Sequence, residues 1–338
     1  GTLVMANEHA ISVSTATVAA GATLRVATGS MTWSNTLTGE GLLHIDLANA
    51  TDAFSFSPSA FSPSVFFTGT ALFNNSAYLF NNNALAGADV ILGANNTTTV
   101  ASGTQQLGNL TIDGGALGFT HASGTQAEGI IRTGTLDAIS GTVTVTSTYS
   151  GSTGLFAKPL LQQDEAHRVR LIDAIALSNT NLTLAGGTTA SAAIKNAASV
   201  TTATATYAQT LDYTNGLSIT YELTQLDLLA NETTTLSGDA GPPAGGAELH
   251  ALITGAGNLQ IDATRAITLN NTANTYTGTT LVNTGTLVSG TSNALGNTAW
   301  LAVTSTAAYD LNGHTQTIAN GARIDGALHG TGSLGLGG

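Results

Sequence analysis

The sequence contains no cysteine in 338 residues, so whatever holds it together is packing and hydrogen bonding rather than disulfides or thiolate-bound metal. Charge is scarce as well. Lys and Arg total 8 and Asp and Glu total 20, too few to clothe the solvent faces of ordinary surface helices, which are built from Glu and Lys. Long apolar runs are missing: Thr, Ser, Asn or Gly interrupts every hydrophobic stretch before it nears the ~18 residues a spanning helix needs. The deficit of basic residues leaves a net charge of −12. That argues against nucleic acid and anionic lipid as partners, since both are gripped by Lys and Arg, and against polyanionic glycans except at a local basic spot. No basic region or apolar segment opens the chain between Gly1 and Glu8, so no signal peptide is read there, and an excised piece of a longer protein is expected.

What is present is Thr, Ser, Asn and 40 Gly among alternating Leu, Val and Ile. β-Branched Thr suits strands, and Asn and Gly tolerate the positive φ of tight turns, so the expected class is all-β. Composition is even from end to end and no linker stands out. One elongated repeat domain over 1–338 is therefore expected.

A turn-and-strand unit recurs with fixed spacing at Leu37–Asp46, Ile253–Asp262 and Leu328–Leu336, carrying the pairs Gly39/Gly41, Gly255/Gly257 and Gly330/Gly332. Shorter copies start at Gly108, Gly115, Gly134 and Gly285. Glycine supplies a sharp corner, and the alternation after it (Leu43 and Ile45, or Leu259 and Ile261) points every second side chain inward. Strands this short bury a core only by stacking on one another. The expected architecture is a right-handed parallel β-helix, with a β-sandwich as its rival. At roughly 20 to 25 residues per coil, about 14 to 17 coils fit, a rod on the order of 70 Å long.

The stretch Asn274–Gly290 with Asn293–Gly296 resembles the passenger-associated repeat of autotransporters, and Leu85–Gly115 and Leu311–Ile318 are similar to passengers of that class. The resemblance, to AIDA-like adhesins and biofilm proteins, implies a type V secreted passenger. Such a passenger would be β-helical and held on the extracellular side of the Gram-negative outer membrane, or released. Its link to the membrane would be a C-terminal translocator barrel absent from this sequence. The partners it implies are a host matrix protein or glycan, or a second copy on another cell.

Three stretches depart from the repeat. Seven of the nine Phe fall between Phe54 and Phe80, together with Tyr78. They are expected to stack inside the core, because carbohydrate platforms prefer exposed Trp and Tyr. Leu155–Asp173 concentrates Lys158, Arg168 and Arg170, three of the eight cationic residues. Its candidate ligand-binding residues are Asp164, Glu165, His167, Arg168 and Arg170, weighed against a solvated hairpin tied down by its own ion pairs. Leu211–Leu226 carries Asn215-Gly216 between alternating strands, a hairpin signal, and Gly238–Gly246 reads as a loop. Together, 155–246 is expected to form a protruding loop or hairpin region.

Enzymes do exist on β-helices, and a polysaccharide-acting one is the alternative reading, with a passive spacer as another. Such sites need clustered carboxylates or a Ca²⁺ cage with a basic residue. Here the adjacent acids are Asp164 and Glu165, which a strand would send to opposite faces, and the seven His are scattered singly. Coiling could gather distant acids such as Asp46 and Asp113. No catalytic residue, metal site or cofactor is expected.

Overall fold

A computed structural model describes residues 1–7, 15–57, 67–149, 154–155, 160–163, 166–237 and 247–337. These residues contain no α-helix, and a single 3-10 turn at Leu160–Gln162. The rest of the regular structure is β-strand, most of it paired in parallel. The chain forms two compact units. The first holds Gly1–Thr148, Arg168–Gly187 and Thr210–Thr220, and the second Tyr149–His167, Thr188–Gln209 and Tyr221–Gly338.

In the first unit, short strands pair in parallel with strands roughly twenty residues further on. Thr2–Met5 lies beside Thr23–Val26, then come Leu42–Asp46, Thr70–Asn74, Asp89–Leu92 and Leu110–His121. Beyond them, Gln126–Ser147 pairs with His167–Thr180. A second ladder runs from Met31–Trp33 through Ala53–Phe56, Ser76–Phe80 and Asn96–Val100. It reaches the far end of Leu110–His121, which bends between the two ladders at register shifts around Asp113. Shorter parallel pairings are made by Ala16–Val18 with Leu37–Gly39, in a sheet of its own, and by Gly103–Gln106 with Gln126–Ser147. Alternation fixes the inside: Leu24, Leu43, Ala71, Val90, Leu110 and Leu136 occupy successive positions of one register column, and all are buried. Each large aliphatic side chain so buried contributes about 1.5–3 kcal/mol.

The second unit repeats the scheme. Thr233–Leu236, Asn258–Leu269, Thr279–Ser289, Trp300–Val303 and Ala322–Ile324 form one parallel ladder. Ala247–Leu249, the second half of Asn258–Leu269, the second half of Thr279–Ser289, Ala307–Asp310 and Ala327–His329 form another. Antiparallel pairing enters with Thr189–Lys195, which runs against Thr201–Asp212 from Thr189 opposite Ala208 to Lys195 opposite Thr201.

The repeated glycine pairs serve two purposes. The first of each pair turns the corner, with φ of 106° at Gly39, 93° at Gly255 and 85° at Gly330. The second lies against the preceding strand: a Cβ at Gly41 would stand 2.4 Å from the Ala19 carbonyl oxygen, and one at Gly257 2.3 Å from that of Leu229. Corner conformation was the reason available from sequence. Close approach between stacked strands is the reason added by the fold.

The Asn215-Gly216 hairpin is present, with φ of 60° and 121° at its two residues, the signs that a two-residue hairpin turn demands. The Thr210 and Thr220 hydroxyls meet across it at 2.6 Å. Residues 238–246, read as a loop, lie outside the described residues.

Candidate functional site

Of the five residues singled out as ligand-binding candidates, Asp164 and Glu165 lie outside the described residues, as does Lys158. His167 has its Nε2 on the Gln162 carbonyl. Arg168 and Arg170 stand two apart on the strand His167–Thr180, where alternation sends them to the same face.

Arg168 is absorbed locally. Its Nε lies 3.1 Å from Asp212 Oδ2 and donates to Ser218 Oγ at 2.9 Å, and its Nη2 donates to the Thr214 carbonyl. All three partners belong to the Asn215-Gly216 hairpin, so this arginine ties hairpin to strand. The Thr214 amide, donating at 2.8 Å, is the chief reason the Asp212 carboxyl is held below its ordinary range; the Thr214 side chain and the Arg168 charge add to it, against burial.

Arg170 is placed differently. Its Nη1 donates to Asp173 Oδ1 at 2.8 Å, while Asp173 Oδ2 receives Arg132 Nε at 3.4 Å. Arg132 comes from the neighbouring strand Gln126–Ser147, where the register sets it opposite Asp173. The side chains of Arg132 and Arg170 are 55% and 48% exposed. One carboxylate thus serves two guanidiniums. Among the described residues one positive charge is left over, and both guanidiniums are half exposed, groups whose chemistry suits carboxylate, sulfate or phosphate oxygens. Nothing in the sequence marked Arg132, because it joins the cluster only through a register step of 41 residues, from Arg132 to Asp173.

Other candidates resolve as structure. Phe54, Phe56, Phe73, Tyr78 and Phe80 are all buried and pack edge-on or stacked, with ring centroids 4.4 Å apart for Phe73 and Tyr78 and 5.1 Å for Phe54 and Phe56. Burial alone pushes the Tyr78 hydroxyl well above the usual tyrosine range. Phe61 and Phe66 lie outside the described residues.

Asp46 and Asp113 are not brought together. The strands Thr70–Asn74 and Asp89–Leu92 lie between theirs, a separation of about 14 Å at ~4.8 Å per strand. Asp46 is instead held by Arg25 Nη2 at 2.5 Å and Asn75 Nδ2 at 2.8 Å, and Asn95 continues the chain of bonds to Asn75 at 2.9 Å. Among the described residues, no three His, Asp or Glu gather in a way that could hold a metal ion, and no helix is long and apolar enough to cross a membrane.

No family model matches the chain, and no solved structure matches it. Two proteins of Escherichia coli (strain K12) are similar. The uncharacterized protein YuaQ is 30% identical over 314 residues, covering 85% of this chain and 23% of that protein. The uncharacterized lipoprotein YdeK is 30% identical over 325 residues, 86% of this chain and 24% of that protein. The chain therefore spans about a quarter of the length of the curated relatives it matches.

Proposed function

We propose that the chain is a stretch of an autotransporter-type passenger: a right-handed parallel β-helix held outside the Gram-negative envelope, whose outer faces act in adhesion. Its foremost contact site is the Arg132–Asp173–Arg170 cluster. The observation that carries this reading is the shared carboxylate, which leaves two half-exposed guanidiniums with unspent donors in a chain of net charge −12. Such a spot suits an anionic group on a matrix protein or glycan. The parallel ladders, stepping by 19 residues from Thr23 to Leu42 and 21 from Thr279 to Trp300, are what successive coils of a β-helix produce. The lipoprotein name of one relative supports an envelope location. No catalytic step is part of the reading.

Self-association is the second reading. It is favoured by exposed hydroxyl pairs such as Thr17 with Thr38 at 2.8 Å and Thr32 with Ser55 at 3.0 Å, which lay polar rows along the outside. Beads coated with the chain, offered to immobilised matrix proteins, to sialylated and sulfated glycans, and to one another, separate the two. Binding to an anionic surface that falls about tenfold or more in an Arg132→Ala/Arg170→Ala double variant supports the arginine cluster. Bead clumping that is indifferent to the double variant, with no surface bound, moves the activity to the hydroxyl rows.

A further inference from the structure

The chain has two tryptophans, and they are used in opposite ways. Trp33 is buried, and its Nε1 donates to the Asn35 carbonyl at 2.6 Å. Trp300 opens the strand Trp300–Val303 in the second unit and is 39% exposed. Among the described residues its indole N–H has no acceptor. The six-membered ring lies over Gly321 on the next strand, where an added Cβ would meet Cζ3 at 3.1 Å and Cη2 at 3.7 Å. Thr279 faces it from the strand before.

The asparagines around this ring differ from the others of the same stretch. Asn258, Asn270, Asn271, Asn274, Asn283 and Asn312 each spend the side chain on a bond to a neighbouring strand or turn. Asn293 does so too, accepting from the Thr317 amide, and Asn231 is explained by its φ of 66°. Asn297 and Asn320 have neither duty. Their side chains are exposed, their φ is unremarkable, and only their backbone amides are engaged, with Tyr276 and Ala299 carbonyls. Asn320 immediately precedes Gly321, beneath the ring. Asn297 sits at the end of the turn three residues before Trp300, within about 10 Å of it by chain length alone. Two exposed amides, with no side-chain bond among the described residues, thus lie within three residues of the indole or of the glycine beneath it.

We propose that Trp300, Asn297 and Asn320 form a binding site for a neutral oligosaccharide. A pyranose ring presents an apolar face of C–H groups, which an indole accepts, and a rim of hydroxyls that both donate and accept, as an amide does. No formal charge lies among the three side chains, which is why the ligand is neutral and the site is separate from the arginine cluster.

Maltohexaose, cellohexaose and chitohexaose at millimolar concentrations are the probes, and the intrinsic tryptophan fluorescence of the chain is the readout, since Trp33 is shielded. The expected result is a saturable shift with at least one sugar. It is weakened about tenfold or more in Asn297→Ala/Asn320→Ala and unchanged in Arg132→Ala/Arg170→Ala, while binding of the same sugar to Trp300→Ala, followed by calorimetry because that variant lacks the reporting indole, is lost. The asparagine double variant removes no side-chain bond among the described residues, so it keeps the test open should Trp300→Ala disturb folding, as followed by circular dichroism. No saturable shift with any of the three sugars, or undiminished binding in the asparagine double variant, would overturn the proposal and leave Trp300 as a cover for Gly321.

Discussion

The two units fill their interiors with rings and with polar groups in different proportions. In the first, the strands Ala53–Phe56, Thr70–Asn74 and Ser76–Phe80 bring five rings into mutual contact, beside a buried polar group in which Asn96 donates to the Ser76 carbonyl at 3.0 Å and accepts from Thr98 at 2.8 Å. In the second, polar groups run through the interior in register. Asn274 accepts from the Ile253 amide at 2.8 Å and donates to the Ala294 carbonyl at 2.8 Å, and Gln316 accepts from the Leu295 amide at 2.9 Å. Nearby, Thr280 joins the Tyr276 hydroxyl at 2.7 Å and Thr298 at 2.9 Å. Residues 253, 274, 295 and 316 are 21 apart, the step of the ladder itself. Rings supply burial without caring much which neighbour they meet. A buried amide is satisfied in one register only, because a slip of one residue leaves its donors and acceptors unpaired.

The largest test of this contrast is in the aromatic interior. Phe73→Ala removes a fully buried ring that stacks on Tyr78 and meets Phe54, and should destabilise the first unit by about 3–5 kcal/mol in urea unfolding. Asn274→Ala comes next, at about 2–4 kcal/mol, since it strands the Ile253 amide and the Ala294 carbonyl together. If Asn274→Ala is neutral while Phe73→Ala is not, the amide ladder has no stabilising role and the contrast fails.

A smaller effect comes from pH. Burial holds His121 below its ordinary pKa of 6.5, against the Gly124 carbonyl and the Glu128 charge. His44 is likewise lowered by burial, with Arg25 adding to it and Asp46 opposing. As pH falls below 6.5 the unfolded chain takes up protons that the folded one refuses. The urea midpoint of the first unit should therefore decline until the folded imidazoles titrate too. His121→Gln should flatten that decline. At the alkaline end the sign is reversed for buried tyrosines of the second unit. Tyr207 and Tyr309 are pushed up to about 12 by burial, so stability present below pH 10 should be lost as pH climbs from there through the folded values. The smallest stability effect is expected at the arginine cluster: Arg132→Ala should change stability by about 0–1 kcal/mol, since both partners are open to solvent. A larger loss would mean the cluster is a structural clamp.

Much of this architecture was legible because it is written in local periods. Alternation placed Leu43 and Ile45 inside, the phenylalanine-rich stretch was assigned to the interior, and Asn215-Gly216 marked a hairpin that is there. What was not legible depends on which strand lies beside which. Steps between paired strands vary, 19 residues from Thr23 to Leu42, 28 from Leu42 to Thr70 and 41 from Arg132 to Asp173, so the turn lengths hide the register. Arg132 was missed for that reason, and so was the pressing of Gly41 and Gly257 against neighbouring carbonyls. Trp300 stood out of nothing in the sequence, because its setting depends on Gly321 arriving on the next strand.

The arginine cluster depends on the 41-residue register step that sets Arg132 beside Asp173, and the absence of native cysteine makes that step directly measurable. Cysteines introduced together as Arg132→Cys and Asp173→Cys would face each other across strands about 4.8 Å apart, within disulfide reach. The control is Thr17→Cys with Thr38→Cys, partners in another parallel pairing. Mild oxidation followed by mass spectrometry should find both pairs cross-linked to near completion in the folded chain. Cross-linking of the control pair without the Arg132/Asp173 pair would contradict the register and, with it, the arginine cluster as a contact site.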